Sequence, residues 1–192
     1  MRTLRATILT SRNEMTKNDF IETVLYIINK ILDYSSSLDQ ITPTLFDRKN
    51  IIKKSDDDIS TSQSSNEEND TTFLEKEDKF SLADYLYYWV EKMEFNDNLL
   101  ILTMMNIDKI LAKEFILTDD NVKNVLFTCM VITQKYYEDE NFKDKDYSKL
   151  AQLKVQELFK MEIEFLSLID FSLHISEEEF NKFIIWKKNY HF

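Results

Sequence analysis

Residues 121–139 read Asn-Val-Lys-Asn-Val-Leu-Phe-Thr-Cys-Met-Val-Ile-Thr-Gln-Lys-Tyr-Tyr-Glu-Asp. Drawn as a helix from about Asn121 to Tyr137, the run from Val125 onward is apolar nearly all round and leaves no wide polar face for water. Such a helix belongs in the middle of a bundle rather than on its surface. Asp119, Asp120 and Asn121 stand before it as expected caps. Lys135 closes it, where a cation suits the carbonyl end of the helix dipole. Cys129, inside the run, reads as an inert small apolar residue.

Composition supports an all-α chain. The 192 residues include no glycine and one proline, Pro43. Without glycine there is no phosphate-cradling loop, no dinucleotide turn and no nucleophile elbow. The tight turns of β-rich folds are poorly served as well. One cysteine and two histidines (His174 and His191) are too few for a Cys/His metal centre, and a lone cysteine requires no oxidising compartment. A formal net charge of −11 disfavours nucleic acid as a partner. No apolar run approaches the ~18 residues that a bilayer span requires. No catalytic, cofactor-binding or metal-ligating residue is therefore assigned. No nucleic-acid, membrane or small-molecule partner is expected either. A small helical enzyme would need a nucleophile–base–orienter set that the sequence does not display.

Working outward, Phe20, Val24, Ile27, Ile28 and Ile31 recur at helical spacing, widened by Ile21, Leu25 and Leu32. They predict a helix from about Thr16 to Asp33, with Thr16 and Asp19 as a capping box. Ser35, Ser36 and Ser37 end it, and Asp39 to Thr44 reads as an extended, ordered connection. Residues 1–15 carry Arg2, Arg5 and Arg12 and read as a flexible arm in preference to a transit peptide. Residues 50–78 form an acidic, Ser/Asn-rich insert; Ile59 is the single apolar residue of 55–72, so the segment is expected to be disordered. Leu82, Tyr85, Leu86, Trp89 and Met93 predict a helix from about Ser81 to Glu94. Leu100, Met104, Ile107 and Leu111 predict another from about Asn98. After the central helix, residues 138–146 read as a polar loop. A short helix is predicted near Ser148, then a long one to about Ile169, then Phe171 to Ile175 as an extended exit. Ser176 with Glu179 caps a last helix from Glu177 to about Lys187.

In the long helix, Val155, Leu158, Phe159, Phe165, Leu166 and Ile169 form the apolar stripe, and Glu162 lies in its middle. An ionised carboxylate there is costly unless it is paired. Three readings stay open: a cation from a neighbouring helix, a partner at an interface, or a stripe-edge side chain curling to solvent. Lys135 is its counterpart on the central helix, with a solvated C-terminal lysine as the plain alternative. Asp108 is a third polar residue beside an apolar face, His174 reads as an edge-of-core histidine, and Glu164 reads as an exposed acid opposite Glu162.

The order of these elements resembles the P-type (P/U-type, phosphate-signalling-like) cyclins. Asn106-Ile107-Asp108-Lys109-Ile110-Leu111 resembles the "YIDRxL" segment of a cyclin box. Asn121-Val122-Lys123-Asn124, the apolar helix and Lys135-Tyr136-Tyr137-Glu138-Asp139 resemble "NVHR", an apolar helix and "KFxDD". Tyr147-Ser148-Lys149, Glu157-Leu158, Met161-Glu162, Asp170-Phe171-Ser172-Leu173 and the run from Ser176 to Phe180 continue the likeness. Asp39 to Thr42 falls where these cyclins have a similar segment before the box. The family's Gly-Gly is Ala151-Gln152 here, and its His-Arg pair is Lys123-Asn124. The Met-Arg-x-x-Leu substrate patch falls on Asp78, Lys79 and Leu82, with Tyr85 in place of the patch tryptophan, which speaks against Arg-x-Leu docking.

The resemblance implies an all-α fold, a single five-helix cyclin box over 79–175 with a central third helix. One helix precedes the box within 16–49, and a C-terminal helix and tail follow over 176–192. It implies a non-enzymatic regulatory subunit that binds and activates a cyclin-dependent protein serine/threonine kinase as a heterodimer. Control of the cell cycle or of nutrient response, in nucleus and/or cytoplasm, is the implied setting. The alternative is a cyclin-fold scaffold or transcription-type adaptor without a kinase. By the same carry-over Lys135 and Glu162 form a kinase-binding pair. Tyr136, Leu166, Phe171 and Leu173 supply apolar contact, and Asp108 and Lys79 are structural polar residues.

Overall fold

The computed structural model describes residues 17–37, 44–47, 81–139 and 142–189. The arm, the Thr16 cap, the connection before Thr44, the acidic insert and Lys79 lie outside the described residues. Among the described residues the chain forms seven helices and no strand: α1 Lys17–Ser35, α2 Leu82–Lys92, α3 Asp97–Leu111, α4 Val122–Tyr137, α5 Asp144–Ala151, α6 Val155–Leu168 and α7 Glu177–Asn189. None of these is long and apolar enough to cross a membrane.

Helix α4 is the axis. Each residue from Asn124 to Gln134 is buried, and α2, α3 and α6 all pack on it. Helix α1 lays Ile21, Val24, Leu25 and Ile28 against α2 and α3. Its end is closed by serine hydroxyls, Ser36 Oγ donating to Asp33 O (2.8 Å) and Ser37 Oγ to Tyr34 O (2.6 Å). Ser81 and Asp84 cap α2 reciprocally. Trp89 of that helix is fully buried, its ring 4.5 Å from Phe127 and 5.1 Å from Tyr88.

Two polar side chains of α4, Gln134 and Asn124, hold backbone carbonyls that lie outside the helices. Gln134 Nε2 donates to Met93 O past the end of α2 (2.7 Å), and Tyr147 Oη donates to Gln134 Oε1 (2.9 Å). Asn124 Nδ2 donates to Phe46 O (2.7 Å), which fastens the segment 44–47 to α4. Gln134→Leu is expected to destabilise the protein by about 2 kcal/mol, because it strands a buried carbonyl and a buried hydroxyl. Denaturant unfolding checks this, and a change below ~0.5 kcal/mol would show that water replaces the amide there.

Three sequence expectations are corrected. Asn121 does not cap α4: its Oδ1 accepts from Thr118 N (2.8 Å) and its Nδ2 donates to Ile116 O (3.1 Å), so it braces the preceding loop instead. Helix α5 begins at Asp144, not near Ser148. Its signal is electrostatic, Asp144 and Asp146 in the first turn with Lys143 N donating to Asp146 Oδ2 (3.1 Å), and apolar periodicity does not report it. The stripe of α6 is two faces rather than one: Leu158, Met161 and Phe165 are buried, whereas Val155, Phe159 and Ile163 are exposed. By contrast Ser176 and Glu179 cap α7 as the spacing predicts.

The absence of glycine shows at the helix ends. Glu94, Glu114, Gln152, Asp170 and Phe171 all take left-handed φ values between 51° and 62°, a conformation that disfavours a Cβ.

Candidate functional site

Lys135, in the last turn of α4, and Glu162, in the middle of α6, come together across 27 positions of sequence. Nζ of the lysine and Oε1 of the glutamate form an ion pair, with the Glu162 side chain 12% exposed. Glu162 sits on the border of the two α6 faces, which explains why it interrupts the apolar pattern. On α6 the exposed face runs through Val155, Phe159 (58% exposed) and Ile163, while Leu166, one turn beyond Glu162, is half-buried against the core.

The pair has two further members that sequence reading missed. Asp144 Oδ1, from the first turn of α5, lies 2.5 Å from Lys135 Nζ. The ring of Tyr147, one turn along the same helix, has its centroid 5.5 Å from that nitrogen. Burial pushes the Glu162 carboxyl above the ordinary carboxylate range and Asp144 adds to the push, while the hydrogen bond and charge of Lys135 pull it back. Burial likewise raises the Tyr147 hydroxyl, which remains a donor to Gln134. The Asp144 signal was present in the sequence only as an acid at a helix start; its proximity to Lys135 depends on how α5 folds back.

Beyond α6 the chain turns through two successive left-handed residues, Asp170 and Phe171, and presents the Phe171 ring 63% exposed. Several groups hold this turn. Phe171 N donates to Leu166 O (2.7 Å), Lys113 Nζ pairs with Asp170 Oδ2 (2.6 Å), and Lys109 Nζ donates to Ser172 O (2.7 Å) and His174 O (3.1 Å). Tyr137 Oη donates to Leu173 O (3.0 Å) and accepts from Ile175 N (3.1 Å). Burial pushes the Tyr137 hydroxyl up to about 12, so it keeps its proton. Tyr137 thereby ties the exit of α6 to the end of α4, beside Lys135 and the exposed Tyr136. Lys109, Lys113 and Tyr137 were not singled out as site residues from the sequence: Lys109 and Tyr137 hold backbone groups, which carry no side-chain signature, and Lys113 meets the Asp170 carboxylate 57 positions away.

Other expectations fare differently. Leu173 is half-buried. Asp108 is on the exposed side of α3, where the buried polar residues are Thr103 and Asn106. His174 is exposed, not at the core edge. Cys129 is buried, and burial raises its thiol. Among the described residues no group of three or more His, Cys, Asp or Glu side chains is placed to hold a metal ion.

Glu164 is not a free surface acid. It is half-buried, its Oε1 accepts from Leu45 N (3.3 Å), and Oε2 is buried with no hydrogen-bond partner among the described residues. Burial pushes its carboxyl up, with Asp47 adding and the Leu45 N–H opposing. A carboxyl raised on folding holds protons that the unfolded chain has released. Its contribution to stability therefore falls as pH rises from the unfolded value through the folded one. Glu164→Gln keeps an acceptor for Leu45 N and removes the charge. It is expected to match or exceed the wild type in stability near pH 7 and to flatten that decline, as followed by unfolding at a series of pH values. A steeper decline in the variant would overturn this account.

The Cyclin family model matches residues 14–173, a span that takes in α1 through α6. Cyclin-U2-2 of Arabidopsis thaliana is 36% identical over 63 residues, 33% of this chain and 27% of the relative. PHO85 cyclin-7 of Saccharomyces cerevisiae is 33% identical over 69 residues, 36% of this chain and 24% of the relative. Cyclin-P2-1 of Oryza sativa subsp. japonica is 30% identical over 63 residues, 33% of this chain and 29% of the relative. The matched stretch thus spans about a quarter of each curated relative. With an all-α box built round a buried central helix and a family match over most of its length, the chain belongs to the cyclin family, and its relatives are of the P/U type.

Proposed function

We propose that this cyclin is the regulatory subunit that binds and activates a cyclin-dependent protein serine/threonine kinase, in cell-cycle or nutrient-linked control, with no catalysis of its own. The observation that carries the reading is the Lys135–Glu162 pair at the edge of an uncovered apolar face. Phe159, Ile163 and Phe171 offer that face for burial, with the half-buried Leu166 beside them, and the pair offers a donor and an acceptor to a partner's backbone. The likeness to a yeast protein named as a PHO85 cyclin supports the same reading.

Packing of this face on the kinase's regulatory C helix would favour the position in which that helix's glutamate meets the ATP-orienting lysine. Activation is then a population shift driven by tighter binding to the active conformation. The test is to purify the full chain with cyclin-dependent kinases and measure binding and stimulated phosphorylation. A stable one-to-one complex with raised activity is expected. Failure of every such kinase to bind or respond at stoichiometric concentrations would sink the proposal.

A further inference from the structure

An ammonium group has three N–H donors. In this structure one side of Lys135 Nζ is taken by Glu162, another by Asp144 Oδ1 at 2.5 Å, and a third faces the Tyr147 ring. A partner carbonyl that is to be gripped by Lys135 must replace one of the two carboxylates. They are not equivalent. Glu162 is 12% exposed and anchored in the middle of α6, whereas Asp144 is 57% exposed and stands at the start of α5. Asp144 can turn away into water and be hydrated there at little cost, and a carboxylate in the first turn remains favoured by the helix dipole. Glu162 would lose the ammonium it pairs with in a largely desolvated position.

We propose that Asp144 is a latch on the partner-gripping lysine: it occupies Lys135 in the free subunit and is displaced when a partner backbone docks. This rests on the reading of the Lys135–Glu162 pair as a kinase grip. The latch holds the lysine extended over Tyr147 while the subunit is alone, and it lowers partner affinity by the strength of the Asp144–Lys135 contact. A merely structural role for Asp144 predicts that its loss weakens both the fold and the complex. A latch predicts opposite signs, with the free subunit slightly less stable and the complex tighter.

The experiment uses the full chain with Asp144→Asn and Asp144→Ala, titrated against a kinase that the wild type binds, together with denaturant unfolding of each free subunit. A half-exposed ion pair of this kind is worth up to ~1 kcal/mol, which converts to about a fivefold gain in affinity. The gain is expected in both variants and is expected to shrink at high salt, where the contact is screened. Variants that bind no tighter than the wild type, or more weakly, would overturn the latch while leaving the kinase reading intact. A wild type that captures no kinase would overturn the kinase reading, and the latch with it.

Discussion

Lys135→Ala is expected to weaken kinase binding roughly 30-fold or more and to lower the stability of the free subunit as well. Truncating one member of a desolvated, hydrogen-bonded charge pair in an interface costs about 2–5 kcal/mol of binding, at 1.4 kcal/mol per decade. Glu162→Ala is expected to weaken binding to a similar extent, but its effect on the free subunit is smaller. The reason lies in the third group. When Glu162 is removed, Lys135 keeps Asp144 at 2.5 Å; when Lys135 is removed, Glu162 is left largely buried beside a second carboxylate. A control at the exposed acid Glu91, on α2, is expected to behave as wild type in both measurements. Kinase titrations and unfolding curves on the three variants decide the matter. Binding by Lys135→Ala and Glu162→Ala as tight as that of Glu91→Ala would mean that the pair is structural. Equal stability losses in the two pair variants would mean that Asp144 does not hold the lysine in solution.

Phe46→Ala is expected to destabilise the fold by about 3–5 kcal/mol, the range for emptying a fully buried aromatic site. The ring is completely buried and meets Phe115 edge-on, with centroids 6.0 Å apart. Its carbonyl is held by Asn124 of α4, while the N–H of the preceding residue, Leu45, is held by Glu164 of α6. The segment 44–47 therefore acts as a plug whose backbone is fastened on two helices and whose side chain completes the core between them. Equilibrium unfolding of the full chain measures the loss. A loss below ~1 kcal/mol would show that the segment lies loosely on the bundle and that the core closes without it.

The central helix was legible because burial on all sides leaves an unmistakable pattern: no polar face survives between Val125 and Ile132. The α1 face and the Ser176–Glu179 cap were legible for the same kind of reason, since both are set by residues within one or two turns of each other. A short helix near Ser148 was legible but its start at Asp144 was not, because eight residues rich in Asp and Lys carry little apolar periodicity and are stabilised by first-turn charges and by the packing of Tyr147. The capping role given to Asn121 failed where a side chain with two hydrogen-bonding ends had a better use in the preceding loop.

At the candidate site, the oddness of Glu162 was visible as a carboxylate in an apolar stripe, and the likeness to cyclins implied Lys135 as its counterpart. The sequence by itself determined that the chain is helical, which helix is central, and that a charge on α6 needed an answer, because these follow from local spacing and from the cost of burying an ion. Only the tertiary structure decided that Lys135 answers two carboxylates, that Phe159 and Ile163 face outward, and that Glu164 is tied to Leu45. Those facts depend on the rotation of α6 about its axis and on where α5 and the segment 44–47 return to the bundle. Such placements are settled by contacts between residues far apart in the chain, and helical periodicity, which relates each residue only to its near neighbours, does not encode them.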